Sequence, residues 1–204
     1  MQYGQAVAVN SGRGTQWSAQ DNSDAALVEA IAAGDKHALQ VLYGRHHVKV
    51  YRFALRFLRD EAAAEDMVSE VFIDVWRQAE RFERRCQVST WLLAIARNKA
   101  LSSLRRRSNE QLDDEVAEFI EDPADNPEVA MQKQERGSIL RSCLSELSPA
   151  HREIIDLVYY HERSIEEVSE IIGVPANTVK TRMFYARKRI GEMMAARGIE
   201  RYAI

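Results

Sequence analysis

Turn-forming residues are scarce. Nine glycines and four prolines serve 204 residues, too few for the many tight turns of a β-rich chain, so the expected fold is all-α. No run of eighteen uncharged apolar residues exists, and no transmembrane helix or membrane insertion is expected. The first 22 residues have no apolar core flanked by bases, so they do not read as a secretory signal. Polar, with Gly4, Gly12 and Gly14, residues 1–22 read instead as a disordered leader. The only two cysteines, Cys86 and Cys143, have no metal-ligand spacing. Without a secretory signal both are expected as free thiols in a reducing cytoplasm. In the pair His46-His47 the side chains of adjacent helical residues diverge, which favours a solvated helix surface over a metal site. A Gly-rich phosphate loop, a metal spacing and a nucleophile motif are all lacking, which speaks against an enzyme; no motif asks for a cofactor.

Charge is the next feature. The net value of −3 argues weakly against nucleic-acid binding, but it hides an asymmetry. Residues 109–135 hold ten acids and one base, a net −9, which leaves +6 on the rest of the chain. Two basic modules are therefore joined by an acidic strap. Residues 109–127, with Pro123, Pro127 and few large hydrophobes, cannot bury enough apolar area to offset their ordering entropy, and read as a flexible linker. The expected organisation is a leader (1–22), a helical domain (23–108), the linker (109–127) and a second helical domain (128–204).

Periodicity divides the first domain. Ser23 can cap a helix ending at Gly34, and a second helix runs from Lys36 to Arg59. Asp60 can cap a third, in which Met67, Val68, Val71, Phe72, Val75 and Trp76 form one apolar stripe. A polar break, Glu83 to Val88, precedes a fourth helix expected to be capped by Ser89 and to reach Arg107. Its first half, Trp91 to Ala96, is apolar all round, and its second half is basic. Trp76 and Trp91 are expected in the core. Cys86 follows Arg84 and Arg85, whose charge would lower its pKa and make it reactive; a small residue in a loop is the plainer reading. Cys143, near Leu140, Leu144 and Leu147, is expected to be buried and inert.

The second domain carries the strongest local signal. Helical pattern resumes near Glu128, runs to Leu147, and restarts at Ser148-Pro149 through His161. Ser164-Ile165-Glu166-Glu167 is a capping box, and Gly173 and Pro175 can end one helix and open the next. Helix, short glycine turn and helix make a helix-turn-helix. At 100° per residue, Val179, Met183, Ala186 and Ile190 fall on one stripe and should face the core. Asn177, Lys180, Thr181, Phe184 and Lys188 fall opposite. Five bases and no acid lie between Pro175 and Ile190, which suits entry into a major groove.

Asp66 to Phe72, Ser89 to Asn98 with Leu101 and Arg105, and Ser164 to Arg189, in this order around an acidic linker, resemble the extracytoplasmic-function (group 4) sigma factors of the sigma-70 family. The resemblance covers about Asp24 to Ala196. It implies a protein that binds core RNA polymerase and directs promoter-specific transcription initiation, in a stress or envelope response and under an anti-sigma factor. It assigns Asp66, Glu70, Phe72 and Asp74 to the polymerase clamp. Arg84, Arg85, Ser89, Trp91, Arg97, Asn98 and Arg105 would meet the melted minus-ten strand. Asn177, Thr178, Lys180, Thr181, Arg182, Phe184, Arg187 and Lys188 would read minus-thirty-five duplex DNA. Ser69 departs from the glutamine common in the family, and Tyr185 from a common base. A duplex-only regulator and a helical adaptor are the competing readings. The first needs neither the Trp91–Asn98 segment nor the acidic linker, and the second needs no acid-free helix face. Either the linker or a partner is expected to mask the DNA faces of the free chain.

Overall fold

In a computed structural model of the chain, residues 23–110 and 137–199 are described, the side chains of 107–110 excepted. The leader, nearly all of the linker and residues 128–136 lie outside the described residues. The described residues are helical with no strand among them.

The first unit has four helices: α1 (Asp24–Ala32), α2 (Lys36–Leu58), α3 (Glu61–Gln78) and α4 (Val88–Glu110), with a 3-10 turn at Ala79–Arg81 after α3. Ser23, Asp35 and Asp60 each accept a backbone N–H of the first turn that follows them. These bonds satisfy donors that have no partner inside the helix. Gly34, after α1, takes φ +90°, a conformation that costs glycine little. The α4 helix departs from expectation at both ends. The Trp91 N–H donates to the Gln87 carbonyl, so the helix starts before Ser89 and Ser89 caps nothing. At its other end the backbone runs through Glu110, two residues into the acidic stretch.

The second unit begins with α5, described over 137–145, and continues with α6 (Pro149–Ile155), α7 (Ile165–Ile172) and α8 (Ala176–Ala196). The expected helix from Pro149 to His161 is present, but after Ile155 it widens into a π-helical turn, Asp156–Tyr160. Both halves of the Ser164–Glu167 capping box form, and Gly173 ends α7 at φ +74°. Alanine there would meet no neighbour within 4 Å, so its cost would be the left-handed backbone alone, about 1–2 kcal/mol. Pro175 stands one position before α8 rather than inside its first turn.

Buried side chains of both units belong to one cluster. Leu27, Leu42, Phe53, Val71 and Leu92 come from the first unit, and Ile154, Leu157, Val168, Val179 and Ala186 from the second. The two units therefore touch, chiefly where α4 lies along α7.

Candidate DNA-binding faces and the joint between the units

The recognition face of α8 follows from its periodicity. Val179, Met183, Ala186 and Ile190 are buried, while Asn177, Lys180, Thr181, Phe184, Arg187 and Lys188 are exposed. Thr178 and Arg182 are half-buried at the flanks. Phe184 is 64 % exposed and packs edge-on against Tyr185. With Tyr185, also exposed, it leaves a pair of aromatic rings in water on this helix. Ser169 ties the turn: its Oγ donates to the Val174 carbonyl at 2.6 Å.

On α3 the outward face carries Asp66, Ser69, Glu70, Ile73 and Arg77. Phe72 is not on it. Its ring is buried edge-on against Tyr43, so of the four residues assigned to the clamp it is the one that lies in the core. The apolar side chain presented beside the acids is Ile73, at 49 % exposure, which the sequence reading missed. Trp76, expected in the core, lies at the edge of the stripe and is partly exposed. Glu70 and Asp74 hold Lys99 of α4 between them, at 3.3 and 2.8 Å. Burial alone would lower the Lys99 pKa; the two carboxylates outweigh it and hold the ammonium above its usual range. Lys99, also missed, cancels part of the charge that the sequence places on this face.

The loop before α4 presents Arg84 and Arg85 to solvent. Arg84 takes a left-handed φ of +56° and pairs with Glu29, while Arg85 pairs with Glu83. On α4, Asn98 and Arg105 are exposed, and Trp91 is half-buried against Phe82 with ring centroids 4.9 Å apart. The remaining members of this set face the second unit. Ser89 Oγ accepts from Arg163 at 2.8 Å, and Arg97 Nε donates to Glu153 at 2.5 Å. The neighbouring Thr90, fully buried, donates its hydroxyl to Glu167 at 2.7 Å. On α2, Arg56 pairs with Asp156 and lies over the Tyr160 ring, while Phe53 meets His161 edge-on. No pattern local in sequence could have found Glu153, Asp156, Arg163 or Glu167, because each acts across the joint.

Cys86 corrects a sequence expectation. Burial raises its pKa, and Glu170 and Glu167 raise it further; the fold brings acids of α7 to a thiol whose chain neighbours are bases. The group is held as the thiol, not activated. Cys143 is fully buried, as expected, with Arg197 Nη1 2.7 Å from its sulfur. His46 is not on a solvated surface but buried, 2.6 Å from Asp24. Burial would raise the Asp24 pKa, yet Arg45 and His46 hold it below the usual value. Among the described residues no cluster of His, Cys, Asp or Glu could hold a metal ion, and no helix is long and apolar enough to cross a membrane.

Residues 42–110 match the family model described as Sigma-70 region 2, and residues 138–190 match that of Sigma-70, region 4. The RNA polymerase sigma-H factor of Pseudomonas aeruginosa is 31 % identical over 180 residues, covering 84 % of this chain and 93 % of that protein. The ECF RNA polymerase sigma factor SigW of Bacillus subtilis is 28 % identical over 176 residues, 82 % of this chain and 94 % of its own length. Among solved structures, the sigma factor RpoE in complex with the anti-sigma factor NepR from Bartonella quintana superposes with a TM-score of 0.60. It is 26 % identical, over 73 % of this chain and 91 % of that one.

Proposed function

The chain belongs to the extracytoplasmic-function group of the sigma-70 family, and on that premise we propose that it binds core RNA polymerase and directs promoter-specific transcription initiation in the cytoplasm. The family is not one of enzymes. The observation that carries the reading is the division of α8, as far as Ile190, into a buried apolar stripe and an exposed face without acids; the first acid of the helix, Glu192, lies beyond it and pairs with Arg189. Bases on such a face neutralise phosphates, and polar side chains between them reach base edges in the major groove.

The division of labour follows the helical units. Residues 23–108 hold the polymerase clamp through the α3 face, with Asp66 and Glu70 as charged contacts and Ile73 as the apolar one. The loop residues Arg84 and Arg85, with Ser89, Trp91, Arg97, Asn98 and Arg105 of α4, hold the melted minus-ten strand. Residues 128–204 read the minus-thirty-five element, with Lys180, Thr181 and Phe184 toward bases and Arg187 and Lys188 toward phosphates. An anti-sigma factor holds the protein until its signal arrives, an inference supported by the relative solved with NepR. Co-elution with core polymerase tests the first of these roles. Wild type co-elutes; Asp66→Lys combined with Glu70→Lys does not, while its helicity is unchanged. Normal co-elution of that double variant overturns the assignment.

A further inference from the structure

The π-helical turn Asp156–Tyr160 ends in two exposed tyrosines, and each ring meets an arginine of a different helix. Tyr160 lies under Arg56 of α2, with 3.5 Å from guanidinium carbon to ring centroid. Tyr159 lies under Arg187 of α8, at 5.5 Å. The turn holds both rings in place. Leu157 is fully buried, and the His161 N–H reaches back five residues to the Asp156 carbonyl at 3.2 Å. The two arginines differ in what else they touch. Arg56 also pairs with Asp156. Arg187 meets no carboxylate among the described residues, and the Tyr159 ring is its partner. A carboxylate would occupy the N–H groups of the guanidinium and would repel a phosphate. A ring attracts the cation through its π electrons, so the five donors stay free for an outside acceptor.

We propose that Tyr159 is a positioning residue for duplex DNA: its ring seats the Arg187 guanidinium at the edge of the α8 face, donors outward, where a backbone phosphate will stand. The inference rests on the reading of α8 given above. A helix in the major groove has a phosphate strand on either side, so residues along its middle meet bases and residues at its edges meet phosphates. Arg187 stands at such an edge, while Phe184 and Lys188 lie along the exposed middle. An arginine loose in water must give up rotamer freedom to grip a phosphate. One already seated on a ring has given it up beforehand, and the difference appears as affinity. Tyr159 itself touches no DNA in this account. It acts through Arg187.

The test titrates the full chain onto a labelled duplex pool of random sequence, and fluorescence anisotropy reads affinity over a series of salt concentrations. The variants are Tyr159→Leu, Tyr159→Phe, Arg187→Ala, and Tyr159→Leu combined with Arg187→Ala. Arg187→Ala removes a phosphate contact, so the slope of log affinity against log salt falls by about one unit. Tyr159→Leu keeps the charge but removes its seat. Affinity then falls about two- to five-fold at every salt concentration, and the slope is kept. Tyr159→Phe keeps the ring and the wild-type affinity. In the double variant the Tyr159→Leu change adds nothing to the loss from Arg187→Ala, because no guanidinium is left to hold. A Tyr159→Leu loss that adds in full to that of Arg187→Ala overturns the proposal, since the ring would then act through the fold. A Tyr159→Phe chain as weak as Tyr159→Leu overturns it as well, because the hydroxyl would be meeting DNA directly. Full affinity of Tyr159→Leu beside a weakened Arg187→Ala overturns the positioning and leaves the reading of α8 standing. An unchanged slope for Arg187→Ala takes Arg187 away from phosphates, and that edge of the α8 reading falls together with the proposal.

Discussion

Arg97 of α4 and Glu153 of α6, 56 positions apart in sequence, meet with Nε 2.5 Å from Oε1, and both are nearly enclosed. Each would be costly to keep there without the other, because a buried charge with no partner loses its hydration for nothing. This pair, more than any apolar contact, makes closure of the two units conditional on charge.

Replacing the pair by apolar side chains therefore separates charge from packing. Arg97→Met with Glu153→Leu is expected to keep the chain compact, with thermal stability unchanged or raised by about 1–4 kcal/mol. Glu153→Ala alone leaves Arg97 uncompensated, and the chain opens so that the guanidinium regains water. Scattering measurements on the three chains check this. A compact Glu153→Ala protein contradicts it.

Acid should loosen the joint through Glu167. Burial pushes its pKa up, but the bonds from Thr90 and Ser164 and the charge of Arg163 outweigh it and hold the group below its usual value. A depressed carboxyl stabilises the folded form at pH above its unfolded value, about 4.3. That contribution is lost as pH falls through the lower folded value. Melting temperatures between pH 6 and 3 should fall less steeply for Glu167→Gln than for wild type. Parallel acid limbs would place the pH dependence elsewhere.

Cys86 is expected to react slowly for a partly accessible thiol. Burial and the charges of Glu170 and Glu167 favour its protonated form, so labelling near pH 7 should run below the rate of an unperturbed cysteine. Glu170→Gln should speed it, and Cys143, fully buried, should label more slowly than either. A Cys86 rate insensitive to Glu170→Gln contradicts the account.

What was legible in the sequence was what is local. Ser23, Asp60, Ser164 and Gly173 announced their caps, and the stripe Val179–Met183–Ala186–Ile190 fixed the outward face of α8. The stripe put Phe72 inward, where it is found; its place in the clamp came only from the resemblance, and Ile73, one position on and turned by 100°, was not considered. Ser89 looked like a cap, yet α4 begins earlier and its hydroxyl goes to Arg163. For Cys86 it was the direction of the pKa that came out reversed: its chain neighbours are bases, while the acids that act on it come from α7; the plainer reading, a small residue in a loop, did not depend on it. The joint itself was illegible, since Arg56–Asp156 spans 100 positions and periodicity carries no information about which helix an exposed charge will meet.

On α8, loss of a base-reading side chain and loss of a phosphate contact should look different. Lys180→Ala or Thr181→Ala should cost about 1–3 kcal/mol of discrimination at one position of the duplex site. Lys188→Ala should weaken all sequences alike and lower the slope of log affinity against log salt by about one unit. Quantitative footprints at several salt concentrations distinguish them. Uniform losses for all three would move the reading face off α8.

The central claim is that this chain gives core RNA polymerase its promoter. Run-off transcription with purified core polymerase and a set of genomic promoter fragments tests it most directly. The account predicts discrete transcripts from a subset of fragments that appear only when the chain is added, and that disappear with the Asp66→Lys, Glu70→Lys variant. Transcripts identical to those of core polymerase alone on every fragment would contradict it.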